Sequence, residues 1–191
     1  MPAAARRTRP APAIDIIVES ALWRAQPSAA TVLRRAIGEA AEMTGATAGP
    51  SEVAAMLCDD AAMRELNGRW RGRREPTNVL SFPAAQTGGD RNGMLGDIAI
   101  AYETTAREAQ AESKPFADHL AHLAVHGFLH LLGYDHRAET EAGVMERLEA
   151  SILARLGITD PYIPDDTNAA DPKFAPKLPR VRLRTSGSKR H

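Results

Sequence analysis

The segment from Pro115 to Leu132 constrains this chain more than any other. It is the longest clearly apolar stretch, and Phe116, Leu120, Leu123, Phe128 and Leu131 recur along it at helical spacing. A helix so patterned belongs in a packed core. Five of the six histidines nevertheless fall between 119 and 136. One element is thus both core and carrier of the imidazoles.

His126 and His130 are four residues apart, which places them on one helical face about one turn apart. Two imidazoles so placed can bind one metal ion. Gly133 can take positive φ and end the helix, so that His136 approaches from another direction. Three imidazoles leave a coordination position for water or substrate, which is the pattern of catalytic zinc. Two other readings stay open on spacing alone. His122 is also four residues from His126, which allows a His122, His126 and His130 set, and an isolated pair four apart is often polar surface. Gly127 follows His126, where the helical metallopeptidase signature carries glutamate as general base. The H-x-x-x-H-x-x-G-x-x-H spacing has the metal geometry of the metzincins without their usual base, which argues against a conventional peptidase.

The flanking sequence predicts an α/β or α+β layer fold. Strands are expected over Ile14 to Glu19, Glu52 to Cys58, Thr77 to Pro83 and Leu95 to Ala101. A helix is expected from Ser28 to Met43, ended by Gly45, and another from Glu139 to Leu156 with Val144, Leu148, Ile152 and Leu156 as its apolar stripe. Asp59 or Asp60 can cap a short helix to about Asn67, with Gly68 as its exit. Arg69 to Arg74 then reads as an exposed basic loop. The domain is placed at residues 12 to 160, with extensions at 1 to 11 and 161 to 191 read as disordered.

Composition bounds the function classes. The 191 residues suit one domain, and no apolar run reaches membrane-spanning length. The single cysteine, Cys58, excludes an intrachain disulfide framework and reads as a buried small hydrophobe. It fits a reducing compartment, and the proline-broken N-terminus lacks a secretory signal, so the expected location is the cytoplasm. Basic and acidic residues balance at 24 each, but not locally. Residues 1 to 9 hold three arginines, and residues 172 to 191 hold seven basic groups without an acid. The stretch between carries 14 basic and 24 acidic groups, a net of minus ten. Basic arms of this kind meet polyanions or merely solubilise.

The segment His126 to His136, HGFLHLLGYDH, resembles the signature of the YbeY endoribonuclease family, also called the rRNA maturation factor family. Three further blocks share the resemblance: Arg71 and Gly72 with the PTNVLSFP stretch from Pro76 to Pro83, Leu95-Gly96-Asp97-Ile98, and LGITDPY from 156 to 162. It covers residues 12 to 162. The resemblance implies a small α/β fold with a mixed four-stranded sheet and helices, the metal site lying on the long helix and the loop after it. It implies a single-strand-specific, metal-dependent endoribonuclease that processes the 3′ end of small-subunit (16S) rRNA and serves ribosome quality control. His126, His130 and His136 map onto the ligands of one zinc ion, and His126 and Arg71 onto functional positions. The implied partners are single-stranded RNA, rRNA and the small ribosomal subunit, with no membrane and no DNA.

The residues can be read for that chemistry directly. A metal held by neutral imidazoles keeps its charge, and Arg71 can grip phosphate oxygens through its planar fork. Arg69, Arg73 and Arg74 can extend a phosphate-facing patch. Trp70 can stack on an unpaired base or anchor its loop. Asn78 and Ser81 can line the cleft or tie loops. Asp97 can orient a histidine, cap a strand or pair with an arginine. Asp135 can position the final loop, and Tyr134 reads as packing. The alternatives to a nuclease are an RNA- or ribosome-binding assembly factor with weak or no hydrolytic activity, which the missing general base keeps open, and a metallopeptidase.

Overall fold

The computed structural model describes residues 12–46, 51–85, 93–135 and 139–162. The strands are β1 (Ala13–Val18), β2 (Glu52–Cys58), β3 (Val79–Pro83) and β4 (Met94–Ala101). The helices are α1 (Ala29–Thr44), α2 (Asp60–Arg71), α3 (Tyr102–Ala111), α4 (Phe116–Leu131) and α5 (Glu139–Leu156), with a 3-10 turn at Ala21–Ala25. The four strands form one mixed sheet in the order β1-β2-β4-β3. β1 and β2 run parallel, as do β2 and β4, while β3 returns antiparallel along β4. This is the single α/β domain expected from the sequence.

Strand alternation sorts the core into two faces. Val53, Ala55, Leu57, Ile98 and Ile100 point to the side covered by α1, α4 and α5. Cys58, Leu80, Ala99 and Ala101 point to the other side, where Met63 and Leu66 of α2 pack. Alanines suit β2 because it is a central strand pressed from both sides, so context overrides their helical preference. Gly96 allows β3 and β4 to close. Its φ is +139°, and a Cβ there would sit 2.2 Å from the Phe82 carbonyl oxygen.

Three expectations need correcting. The helix α2 does not leave at Gly68 but runs to Arg71, where Gly72 caps it at φ 69° and donates to the Asn67 carbonyl. Arg69, Trp70 and Arg71 are therefore the last helical turn and not a loop. The helix α3 is an element that apolar periodicity does not mark. It buries Thr104, Thr105 and Ala109 and no large aliphatic residue, so it presents no apolar stripe. On α5 the buried face is Met145, Glu149, Ile152, Leu153 and Leu156, and Val144 is exposed. Of the expected stripe, Ile152 and Leu156 are buried and Leu148 packs against the core, while Met145, Glu149 and Leu153 widen the inward face and Val144 falls outside it. The proposed arm at 1–11 lies outside the described residues, as does the extension proposed at 161–191 apart from Pro161 and Tyr162. Among the described residues, no helix is long and apolar enough to cross a membrane.

Candidate active site

The helix α4 carries the two central histidines over the β3 side of the sheet. Its approach is close at Gly127, where a Cβ would lie 3.1 Å from both Ile98 Cγ2 and Ser81 Oγ, and 3.3 Å from Val79 Cγ2. Ser81 Oγ donates to the Gly127 carbonyl at 3.0 Å. A glutamate at 127 would thus be driven into the sheet. The absent peptidase base has a packing cause.

His126 and His130 face each other with their Nε2 atoms 3.1 Å apart. Each ring is held from behind. His126 Nδ1 lies 2.7 Å from Glu149 Oε1. His130 Nδ1 donates to the Tyr134 carbonyl at 2.9 Å. A carbonyl accepts only, and so does an ionised carboxylate, so both Nδ1 atoms carry the proton. The Nε2 lone pairs then converge. Two nitrogens about 2.0–2.1 Å from one tetrahedral ion lie roughly 3.3 Å apart, close to the spacing seen. This donor pair fits a metal. Among the described residues, no group of three or more His, Cys, Asp or Glu side chains is arranged to hold one. His136, the third expected ligand, lies outside the described residues. Gly133 has φ +93°, as its expected helix-ending role requires.

Glu149 is the residue that sequence reasoning missed. Its side chain is fully buried, yet it is charged. Burial alone would raise its pKa. The contacts of His122, His126 and Tyr162 outweigh burial and lower it to about 2. The Tyr162 hydroxyl donates to Oε2. His122 Nε2 stands 3.6 Å from that same oxygen, so His122 serves the carboxylate. The signal was present: Met145, Glu149 and Leu153 follow at four-residue spacing, which places an acid on the inward face of α5. Asp97, a candidate for histidine orientation, takes no such part. It is exposed and shares its sheet face with Ala99 and Ala101, away from α4.

The histidines open onto a cleft of about 890 Å³ that Arg71, Arg73, Asn78 and Ser81 also line. Tyr134 and Asp135 line it as well. Arg71 comes from the end of α2 and the histidines from α4, so the cleft is assembled across the β3 edge. Trp70 is 65% exposed and leans on Phe82 with ring centroids 5.6 Å apart. Its inner side is anchored and its outer side is open. Cys58 is buried, and burial followed by the charges of Glu19 and Asp59 pushes its thiol up to about 12, so it is an inert core residue.

The comparison with known proteins decides the family. The family model for Endoribonuclease YbeY matches residues 19–157. The chain belongs to the YbeY endoribonuclease family. Endoribonuclease YbeY of Nitrobacter hamburgensis is 55% identical over 163 residues, covering 83% of this chain and 86% of the relative. That of a Bradyrhizobium species is 56% identical over 158 residues, covering 80% and 94%. The solution structure of TM1509 from Thermotoga maritima shares the fold, with a TM-score of 0.50 at 22% identity over 79% of this chain and 99% of its own. The YbeY match thus spans both contributors to the cleft: α2 with Arg71 and α4 with its histidines.

Proposed function

We propose that this chain is a metal-dependent endoribonuclease that cuts single-stranded RNA, with small-subunit rRNA near its 3′ end as the natural substrate. The observation that carries this reading is the pair of Nε2 atoms converging at 3.1 Å on the same cleft as Arg71 and Arg73. His126 and His130, with His136 as third ligand, would hold zinc. The ion, when bound, supplies positive charge against a phosphodiester and lowers the pKa of water. Glu149 and the Tyr134 carbonyl fix the imidazole tautomers, so the ligands need no reorganisation. Arg71 binds and orients a nonbridging phosphate oxygen, and Arg73 extends that contact along the strand. A single strand leaves its backbone accessible to a cleft lined by both the arginines and the histidines. A cytoplasmic location and the small ribosomal subunit as partner follow from this substrate.

The test is cleavage of one RNA sequence as single strand and as duplex by wild type and Arg71→Glu. Single-strand cleavage by wild type, reduced at least about 100-fold in the variant, supports the reading. Equal cleavage by both forms overturns the role of Arg71. Absence of cleavage together with RNA binding lost only in Arg71→Glu would favour the assembly-factor reading.

A further inference from the structure

Among the described residues no further strand pairs with the outer edge of β3, which borders the cleft. β3 is the outer strand of the sheet, and Val79, Ser81 and Pro83 line the cleft together with His126 and His130. Ala101 N–H donates to the Asn78 carbonyl, and Ala84 N–H donates to the Leu95 carbonyl. These two bonds set the parity of the antiparallel ladder. Leu80 and Phe82 turn their main-chain groups toward β4, while Val79, Ser81 and Pro83 turn theirs outward.

Donors are scarce on this edge. The Val79 N–H is taken by Asn78 Oδ1 at 2.7 Å. Asn78 is itself held by Glu108, to which its Nδ2 donates at 2.9 Å. Pro83 has no N–H. The edge therefore offers the carbonyls of Val79, Ser81 and Pro83 against a lone donor, the Ser81 N–H. Alternate residues repeat about every 6.8 Å along a strand, comparable to one extended nucleotide unit.

The chemistry of that rim narrows its ligand. A polypeptide adding as a further strand needs donors and acceptors in alternation, and would find most of the donors missing. A phosphate would meet the negative ends of carbonyl dipoles, and Arg71 and Arg73 already stand elsewhere in the cleft to receive it. The fitting ligand is an extended chain that brings a hydroxyl donor at each repeat. We infer that the outward carbonyls of Val79, Ser81 and Pro83 accept hydrogen bonds from ribose 2′-hydroxyls, so that the β3 edge selects RNA over DNA. This inference rests on the reading of the cleft as an RNA-cleaving site.

The test measures equilibrium binding by fluorescence anisotropy, on ice, with the full chain and with oligonucleotide integrity checked on gels. One sequence is compared as RNA, as DNA and as 2′-fluoro RNA, which keeps an RNA-like sugar pucker but cannot donate. The 2′-fluoro strand should bind at least about 10-fold more weakly than RNA, close to DNA. Ser81→Ala should keep the RNA-to-DNA ratio. Ser81→Pro places a ring on the outward edge and spares the ladder bonds of Leu80 and Phe82, so it should collapse that ratio. A 2′-fluoro strand that binds like RNA overturns the inference, as does a folded Ser81→Pro protein with the wild-type ratio. An unstructured peptide that displaces RNA from wild type but not from Ser81→Pro would overturn it in favour of strand addition. If Ser81→Pro fails to fold, the 2′-fluoro comparison on wild type decides alone. A wild-type protein that cuts RNA but ignores the 2′-group sinks only this inference, whereas one that neither binds nor cuts RNA sinks the nuclease reading with it.

Discussion

His126 Nδ1 and Glu149 Oε1 lie 2.7 Å apart, a contact that ties α4 to α5 through a fully buried carboxylate. Such a carboxylate is costly to bury unless its lone pairs are used. Here His122, His126 and Tyr162 all approach it. The contact does two jobs: it fixes the His126 tautomer and it joins α5 to the centre.

Removing that acceptor should weaken metal binding without touching a ligand. Glu149→Ala is expected to lower metal affinity about 10- to 100-fold, read by competition with a chelator. Glu149→Gln keeps an acceptor oxygen and should recover most of the loss. Wild-type affinity in Glu149→Ala would remove Glu149 from the site.

Gly127 is expected to tolerate no side chain cheaply. Gly127→Ala must displace Ile98, Ser81 or Val79 and should cost about 1–3 kcal/mol in urea unfolding. Gly127→Glu should cost more and confer no peptidase activity. A Gly127→Glu protein of wild-type stability would mean that α4 sits farther from the sheet than described.

Acid should erode stability partly through Glu108. Burial opposes ionisation there, but hydrogen bonds from His119 and Asn78 win and hold its carboxyl below its ordinary value of 4.5. The folded pKa is lowered, so this contribution is complete above the unfolded value and fades as pH falls through the folded one. Glu108→Gln should therefore lie below wild type in stability at neutral pH, with the gap closing as pH falls from the unfolded value through the lowered folded one. Urea titrations at both ends check this, and a gap that widens in acid would reverse the assignment.

The legible parts of the fold were those with regular burial. β2 matched its expected bounds because its apolar run is continuous, and α4 stood out because its stripe is long. The helix α3 was hidden because its buried positions are Thr104, Thr105 and Ala109, whose hydroxyls are satisfied by Asp60 and the Ala101 carbonyl. The cleft histidines His126 and His130 were legible from local spacing. Glu149 was legible only as an acid on the inward face of α5; its pairing with His126 was not, because it reaches across 23 residues through helix packing that no motif encodes. Histidine orientation, one of the three roles open to Asp97, fails because strand parity places it on the face of Ala99 and Ala101, away from α4.

The most direct test of the metal centre measures metal content and RNA cleavage on the same preparations of the full chain, purified without added metal. Wild type, His126→Ala and His130→Ala are compared by elemental analysis and on a single-stranded RNA. About one equivalent of zinc is expected in wild type, with metal and cleavage lost together in both variants. Cleavage at the wild-type rate by either variant, or by a wild-type protein free of metal, would contradict the assignment of His126 and His130 as the centre of the site.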